Sequence, residues 1–227
     1  MDLESYRSTY NKDDSTPGWD AINLSLEKIY GPVEPLTHWA TVIKYMLGGP
    51  DPLDGISVYA SDAGGRKHWH FISYGFSSLY YDEDSVGKAH SKYGFELSFR
   101  LLAQEGWTVE KDSSWVSSMM QNIARYIFSS GKWFEPYHWM PAKGPIKLND
   151  DTLIHGVIFV SDPELPAIAT PHGEVQFLQM VGVTDAEIKA VMDKTATPEE
   201  IIGRLQEKDP YFVCDLGRKD PYGLTTS

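Results

Sequence analysis

The stretch "HWHFISYGFSSLYYDEDSVGKAHSKYGFELSFRL", residues 68–101, contains two segments with the composition of β-strands, joined by a long polar loop. The first, "HWHFISYGF", is rich in β-branched and aromatic residues, which strands favour. In the second, "YGFELSFRL", Phe95, Leu97 and Phe99 alternate with their neighbours between two faces, which is the period of a strand. We therefore expect this stretch to form two strands joined by a long polar loop.

Further strands are predicted on both sides of this stretch. The segments are "THWATVIKYML" (37–47), "GISVYA" (55–60), "DTLIHGVIFV" (151–160), "GEVQFLQMVGV" (173–183) and "YFVCDL" (211–216). Several successive strands joined by loops, without a regular βαβ alternation, favour a largely antiparallel sheet.

Helices are predicted where the pattern changes to a period of 3.6 or where caps occur. Thr16-Pro17 has the pattern of an N-cap and first helical residue, and the helix should end at Gly31. A second helix should end near Gly131, because its apolar residues share one face: Trp115, Met119, Ile123, Tyr126 and Ile127. Capping boxes at Thr184 and Thr197 should open helices that run to about Lys194 and Glu207.

The predicted fold is an α+β single domain, with a mixed, largely antiparallel β-sheet flanked by helices. The domain is expected to span residues 16–227. Residues 1–15 are polar and are expected to form a partly disordered N-terminal segment.

The composition narrows the class of partner. The formal net charge is −12, and an acidic chain without a basic block argues against a nucleic acid or an anionic membrane surface as partner. A basic or apolar protein partner is compatible with it. The amino terminus lacks the apolar region of a signal peptide, and no apolar run approaches the length of a membrane span. The sequence therefore predicts a cytoplasmic protein.

The segment "GGPDPLDG", residues 48–55, has the glycines of a phosphate-binding loop but not its other residues. A P-loop needs Gly, four residues and then Gly-Lys-Ser/Thr, and this segment has neither the lysine nor the hydroxyl in place. Pro50 and Pro52 fix φ, and Asp51 and Asp54 can accept backbone hydrogen bonds. The segment therefore predicts a wide turn between strands.

His68 and His70 are the best candidates for a metal site or a metal-dependent enzyme. Residues two apart in a strand point the same way, so both imidazoles could bind one metal with a third ligand from Asp82, Asp84 or His90. The alternative is that both histidines hydrogen-bond to neighbours on one sheet face while Trp69 packs in the core on the other. We favour this alternative and predict no metal and no cofactor.

Two weaker candidates concern a nucleophile and a pair of carboxylates. Cys214, the only cysteine, could act with His138 or His155, but its apolar segment is typical of a buried cysteine. Asp162 and Glu164 lie in the proline-rich turn "SDPELP" and are expected to be solvated.

The loop "SSLYYDEDSVGKAHSKYG", residues 77–94, has a different character. Two tyrosines, Tyr80 and Tyr81, are followed at once by Asp82, Glu83 and Asp84. Aromatic side chains beside acids suit recognition of a peptide that carries an apolar group and a basic group. The alternative is a solvated acidic loop that one tyrosine anchors to the domain.

Five blocks together resemble the suppressor of fused family. They are "VIKYMLGGPDPLDGISVY" (42–59), "KHWHFISYGFSSLYYD" (67–82), "YGFELSFRLL" (93–102), "MQNIARYIFSSG" (120–131) and "TPHGEVQFLQMVGV" (170–183). They occur in family order, and the resemblance covers roughly residues 22–216.

The resemblance implies a non-enzymatic, protein-binding domain of mixed α/β structure. Animal members have two domains, and they hold Gli-type transcription factors in the cytoplasm through a peptide that lies as a β-strand between the domains. This chain is similar to the amino-terminal domain, so half of that cleft is expected to be absent. Where the animal proteins have an acid that meets a histidine of the peptide, this chain has Lys88, Ala89 or His90, which argues against Gli binding.

The resemblance to the single-domain, bacterial branch implies a further role, because some bacterial members are thought to be immunity proteins against polymorphic toxins. We predict a protein-binding module, not an enzyme, that binds a basic partner or a toxin through a sheet face and the 77–94 loop. A structural homodimer is a third hypothesis, since the aromatic content would suit one. The predicted partner-binding residues are Tyr74, Tyr80, Tyr81, Asp82, Asp84, Lys88 and His90.

Overall fold

Eight strands form one mixed sheet in the computed structural model, which describes residues 1–221. The strands are β1 (Thr37–Ala40), β2 (Gly55–Ser61), β3 (His68–Tyr74), β4 (His90–Leu102), β5 (Trp139–Pro141), β6 (Ile154–Ser161), β7 (Ile168–Thr170) and β8 (Gly173–Thr184). Their order is β1-β2-β3-β4-β8-β6-β5, with β7 paired to β8 beside this path. Only β4 and β8 are parallel among the strand pairs of residues 1–221. The α+β prediction is confirmed.

Six α-helices accompany the sheet in the same residues: α1 (Leu3–Thr9), α2 (Pro17–Tyr30), α3 (Val109–Asp112), α4 (Ser114–Ser130), α5 (Asp185–Met192) and α6 (Pro198–Lys208). The predicted ends of α2 and α4 are confirmed, since Gly31 and Gly131 follow their last residues with positive φ. Thr184 and Thr197 both form the predicted capping boxes.

Two predicted strands are wrong in part. Of the segment 37–47, only Thr37–Ala40 forms a strand, because β2 begins at Gly55 opposite Ala40 and offers no partner beyond it. A short 3-10 helix, Tyr45–Leu47, follows instead. The segment 211–216 is not a strand either. Only Cys214 forms a bridge, with Leu101 at the end of β4.

The amino-terminal segment 1–15 contains α1, whose Tyr6 is fully buried. Its partial disorder stays a prediction. The predicted domain 16–227 extends past the described residues, since 222–227 lie outside them.

The sheet separates three apolar clusters. On one face, the odd-numbered residues of β4 pack with α4 in the largest cluster, which includes Phe95, Leu97 and Phe99. On the other face, Ile22 and Leu26 of α2 pack against Ile72 of β3, and α5 and α6 cover β6 and β8. The even-numbered residues of β4 also face this second layer, and they are polar but buried: Glu96, Ser98 and Arg100.

Candidate functional site

The predicted loop 77–94 meets the wide turn 42–54 at the surface. The Lys44 Nζ lies 3.7 Å from the centre of the Tyr80 ring, and the Tyr80 hydroxyl donates a hydrogen bond to Asp54 Oδ1 at 3.1 Å. A cleft of about 580 Å³ lies between them, bordered also by Met46, Lys92 and Phe128. We call this surface the loop cleft. Its two sides come from segments more than twenty residues apart in the sequence, so the fold is what brings them together.

A buried carboxylate fixes the start of the loop. Glu96 of β4 is fully buried and accepts hydrogen bonds from the backbone N–H groups of Gly75 and Ser77 and from the hydroxyls of Ser73 and Ser77. Burial raises the pKa of the Glu96 carboxyl, and these hydrogen bonds oppose that effect. Gly75 has a φ of +138°, a conformation that favours glycine. The chain therefore leaves β3 in one defined direction.

The amino terminus of α2 fixes the next part of the loop. The backbone N–H groups of Gly18 and Trp19 both donate to the carbonyl of Leu79, at 3.1 and 3.3 Å. A Cβ at position 18 would lie 2.0 Å from the carbonyl oxygen of Ser78, so this approach requires glycine. Tyr80, one residue later, is thereby held at the rim of the cleft.

Helix α1 holds the middle of the loop through a buried relay. The ring of His172 donates from Nδ1 to the Ser78 carbonyl at 2.9 Å and accepts at Nε2 from the Tyr6 hydroxyl at 2.8 Å. The Tyr6 oxygen in turn accepts from the backbone N–H of Asp82 at 2.9 Å. A carbonyl can only accept, so this assignment of the His172 proton follows from its partners. Sequence reasoning missed both Tyr6 and His172 as supports of the loop.

The acidic residues of the loop differ in their availability. Asp82 caps a short 3-10 helix, Glu83–Ser85, by accepting from the backbone of Asp84 at 3.1 Å. Glu83 pairs with Arg7 and accepts from the Tyr81 hydroxyl, and these two hydrogen bonds lower its pKa to about 2. Asp84 is exposed, so it is the acid of the predicted set that is free to face a partner.

The remaining predicted residues lie in different surroundings. Tyr74 is buried under α2, where its ring stacks on Trp19 at 4.4 Å and its hydroxyl donates to Asn23. It cannot contact a partner directly. Lys88 and His90 are exposed at the far end of the loop and line the loop cleft.

The sequence-based prediction missed a run of exposed apolar residues in the turn beside the loop cleft. Val42 is 99% exposed, Met46 is 83% exposed and Leu47 is 76% exposed, and Ile43 and Tyr45 between them are also exposed. The cause is the wrong strand prediction for 37–47, because a strand would have placed half of these side chains in the core. The end of the turn is tied to α4 by two hydrogen bonds. The side-chain oxygen of Gln121 accepts from the Leu53 N–H, and its side-chain nitrogen donates to the Leu53 carbonyl.

A second, larger cleft of about 970 Å³ opens on the other side of His90 and Lys92. It lies where the parallel pairing of β4 and β8 is interrupted between His90 and Phe95. Lys92 has a φ of +53° at this bulge, and its ammonium donates to the Gly75 carbonyl at 2.6 Å. Burial lowers the pKa of Lys92. We call this second cleft the bulge cleft.

The His68 and His70 pair is closed off from the surface. The His70 ring accepts at Nδ1 from the Tyr30 hydroxyl at 2.6 Å and donates from Nε2 to Asp162 at 3.0 Å. His68 donates to the Arg66 carbonyl and accepts from Arg100. Both rings lie on one face while Trp69 packs in the core on the other, as the alternative to the metal site predicts. Within residues 1–221, no group of three or more potential ligands is placed to hold a metal.

Asp162 was predicted to be solvated, and this is wrong. It accepts from Arg100 at 2.9 Å, and the Arg100 side chain is fully buried. Although burial opposes ionisation, His70 and Arg100 hold the pKa of Asp162 well below its ordinary value. Glu164 also pairs with Arg100, at 2.8 Å, and is only partly exposed. The Pro-rich turn is therefore pulled onto the sheet by a buried cation that sequence reasoning had not assigned a role.

Cys214 is buried in the largest apolar cluster, as its apolar segment predicted. Burial raises the pKa of its thiol to about 12, so the thiolate that a nucleophile needs is disfavoured.

Comparison with known proteins agrees with the blocks noted in the sequence. The profile of the Suppressor of fused protein (SUFU) family matches residues 49–219. The chain belongs to the suppressor of fused family. The Suppressor of fused homologs of Homo sapiens and Mus musculus are each 36% identical to it over 180 residues, which is 75% of this chain and 36% of theirs. The chain therefore spans about a third of the length of these curated relatives.

Solved structures of the suppressor of fused family share its fold. A chain of the Sufu–Fu complex crystal structure is 29% identical with a TM-score of 0.82, covering 92% of this chain and 93% of that one. Drosophila Suppressor of Fused is 29% identical with a TM-score of 0.79, covering 91% of this chain and 51% of that one. A putative homolog from Neisseria gonorrhoeae is 12% identical with a TM-score of 0.55, covering 92% and 98%, which shows a shared fold only.

The family match includes both loops of the loop cleft from Gly49 onward. The exposed apolar residues Val42, Met46 and Leu47 lie just before it. No helix within residues 1–221 is both long and apolar enough to cross a membrane.

Proposed function

We propose that this chain is a non-enzymatic protein-binding module that binds its partner at the loop cleft. The observation that carries this proposal is the apolar segment Val42–Leu47, which lies exposed beside Tyr80 on a rigid frame. Exposed contiguous apolar surface costs solubility, and on a folded domain it is typical of an interaction site. The Sufu–Fu complex supports the proposal, since there a related chain is in complex with a protein partner.

The cleft favours a partner segment with apolar side chains, since Met46 and Tyr45 offer apolar contact on one side. The charged side chains that line the cleft are of both signs, because Asp54 lies there with Lys44 and Lys92. The preference for a basic partner therefore rests on the acidity of the whole chain. The net charge of −12 would also speed the approach of a basic protein.

The finer proposal is an immunity protein that acts in the bacterial cytoplasm against a secreted toxin. A basic nuclease toxin would match the net charge of the chain. This role rests on the family resemblance and on the acidity of the chain.

A metal-dependent enzyme built on His68 and His70 is the alternative of a different class. The buried state of both rings disfavours it, because each ring nitrogen already has a hydrogen-bond partner in the protein. A metal would have to displace Tyr30, Asp162, Arg100 or the Arg66 carbonyl, at the cost of buried unpaired groups.

The test is affinity capture from the source cell with three immobilised forms of the full chain. The first is wild type, the second is Met46→Ser with Leu47→Ser, and the third is the control Leu148→Ser, which alters an equally exposed apolar residue outside the cleft. We expect wild type and Leu148→Ser to retain the same basic partner and the double variant to lose at least roughly tenfold of it. Equal retention by all three forms would remove the loop cleft as the binding surface.

The immunity role has its own test, since it makes a prediction about cells. A toxin gene beside the gene for this chain would be expressed alone and together with it. We expect wild type to restore growth and the double variant to fail. The immunity role would be contradicted if neither form restores growth and the chain does not bind the toxin. The result of the binding test would not be affected.

A further inference from the structure

A group of aromatic rings is exposed at the opposite edge of the sheet, between α4 and β5. A groove of about 600 Å³ is lined by Tyr126, Trp133, Phe134, Tyr137, His138 and Trp139. Trp133 is 58% exposed, and Tyr126, Tyr137 and Trp139 are each more than a third exposed. We call this surface the aromatic groove. It shares no lining residue with the loop cleft.

The frame of the aromatic groove is rigid. Phe134 stacks on the buried Phe159 of β6, with ring centres 4.1 Å apart and planes 19° apart. The backbone of the groove segment is also hydrogen-bonded to Phe159. The Tyr137 N–H donates to the Phe159 carbonyl, and the Phe159 N–H donates to the His138 carbonyl. The rings are thus displayed by a segment that is tied to the central sheet.

The backbone at Tyr137 is unusual. Its φ is +68°, and a bulky residue rarely adopts this left-handed conformation. Such conformations concentrate at sites that bind ligands, where the surrounding structure enforces them. Here the hydrogen bond to Phe159 enforces it, and the ring of Tyr137 remains exposed.

Three polar groups on the rings are donors without an acceptor among the described residues. The hydroxyls of Tyr126 and Tyr137 and the indole N–H of Trp139 make no hydrogen bond to any residue of 1–221. A polyproline II segment presents the complementary set, because its carbonyls are free and its prolines have no N–H. Flat rings and outward donors are also how aromatic-lined grooves bind proline-rich peptides in general.

A carboxylate lies beside the most exposed ring. Glu135 Oε1 accepts from the Trp133 indole N–H at 3.3 Å. A cation placed there can pair with the carboxylate and lie on the indole face at once. Lys132 also lines the groove and is exposed, as Glu135 is, but the net charge of the whole chain is −12. The charge therefore favours a ligand with a basic residue.

The edge strand itself is a poor template for an added strand. β5 is three residues long and ends in Pro141, which has no N–H for a ladder. We propose that the aromatic groove binds a proline-rich segment of a partner protein, in the polyproline II conformation and carrying a basic residue. This surface is distinct from the loop cleft, so the two could hold one partner at two points or two partners at once.

The test is a titration of the full chain with a synthetic oligoproline peptide that carries one arginine, followed by tryptophan fluorescence and calorimetry. Two matched peptides accompany it, one with glutamate for arginine and one with glycine and serine for the prolines. We expect the first peptide to bind and each of the others to bind roughly tenfold more weakly or worse.

Two variants report on the groove, and one variant serves as control. Trp133→Ala removes the most exposed ring, and Tyr137→Asn removes a ring while keeping a residue that tolerates positive φ. Each should weaken peptide binding roughly tenfold at an unchanged melting temperature, whereas Tyr45→Ala, an exposed ring of the loop cleft, should not.

Four outcomes would overturn the proposal. They are equal binding of the glycine–serine peptide, equal binding by both groove variants, binding of a soluble cello- or chito-oligosaccharide in place of the peptide, and self-association that the groove variants abolish. A variant that fails to fold is excluded by its melting curve, and the other variant then decides.

Discussion

The ammonium group of Lys44 lies over the ring of Tyr80, 3.7 Å from its centre, and joins two loops that the sequence separates. The Tyr80 hydroxyl extends the connection to Asp54. The two walls of the loop cleft are therefore linked through one tyrosine. The cation–π interaction between Lys44 and Tyr80 contributes little free energy, because the ammonium and the ring are both partly exposed.

A double-mutant cycle measures this link. Lys44→Met and Tyr80→Leu each remove one partner while keeping apolar volume. We expect a coupling of about 0.5–1 kcal/mol in the free energy of unfolding in urea. A coupling of zero would mean that the two loops are not joined in solution.

Arg100 is expected to be the most sensitive charged residue of the fold. It is fully buried and donates to Asp162, Glu164 and Gln179. Arg100→Ala leaves a buried carboxylate without its cation, so we expect a loss of about 3–5 kcal/mol in the free energy of unfolding. The matched control is Arg66→Ala, whose ion pair with Asp209 is partly exposed and should contribute about 1 kcal/mol or less. Equal losses in urea titrations would contradict the role given to burial.

The stability of the chain should fall as the pH is lowered from 7 towards 4. Burial lowers the pKa of His70 to about 4, while an unfolded histidine titrates near 6.5. The unfolded state therefore binds a proton in this window before the folded state does, and stability is lost as pH falls through 6.5. The shift corresponds to about 3 kcal/mol over the window.

Variants isolate the His70 contribution. His70→Gln should show a shallower dependence of the free energy of unfolding on pH than wild type. His90→Gln, at an exposed histidine, serves as the control for the substitution itself. Burial also lowers the pKa of His38 and His68, so the whole slope will not vanish in one variant. An unchanged slope in His70→Gln would show that His70 is not the main source.

Helix α1 is expected to stabilise the loop through Tyr6. Tyr6→Phe removes the hydroxyl that bonds His172 and Asp82, so we expect a loss of about 1–3 kcal/mol, since buried partners are left unpaired. Hydrogen exchange should speed up at the Asp82 amide in particular. Tyr10→Phe, whose hydroxyl has no hydrogen bond in residues 1–221, is the control and should change neither quantity. If hydrogen exchange at the Asp82 amide stays slow in Tyr6→Phe, the amino-terminal segment does not hold the loop. Partial disorder of residues 1–15 would predict that result.

The sequence predicted the regular elements where local signals are strong. Caps at Thr184 and Thr197 and glycines after α2 and α4 mark helix ends, because they satisfy backbone groups locally. It failed at 37–47 and 211–216, where apolar composition resembles a strand. Whether such a segment forms a strand depends on a neighbouring strand to pair with. The pairing of β1 with β2 stops at Ala40, which lies opposite Gly55, the first residue of β2.

The candidate site divides in the same way. The sequence identified the 77–94 loop from its tyrosines and acids, and it rejected a phosphate site in 48–55. It did not reveal that Tyr74 is buried, that Glu83 is occupied by Arg7, or that Val42–Leu47 is exposed beside Tyr80. Each of these depends on contacts between residues distant along the chain.

By itself, then, the sequence determined the α+β class, the ends of α2 and α4, the capping boxes of α5 and α6, and the suppressor of fused family. It also proposed the 77–94 loop as a candidate for partner binding. Only the tertiary structure decided that the polar face of β4 is buried around Arg100 and Glu96, and which side chains remain at the surface. The physical reason is that caps and periodicity act within a few residues. Burial and charge pairing are set instead by what the fold places against each side chain.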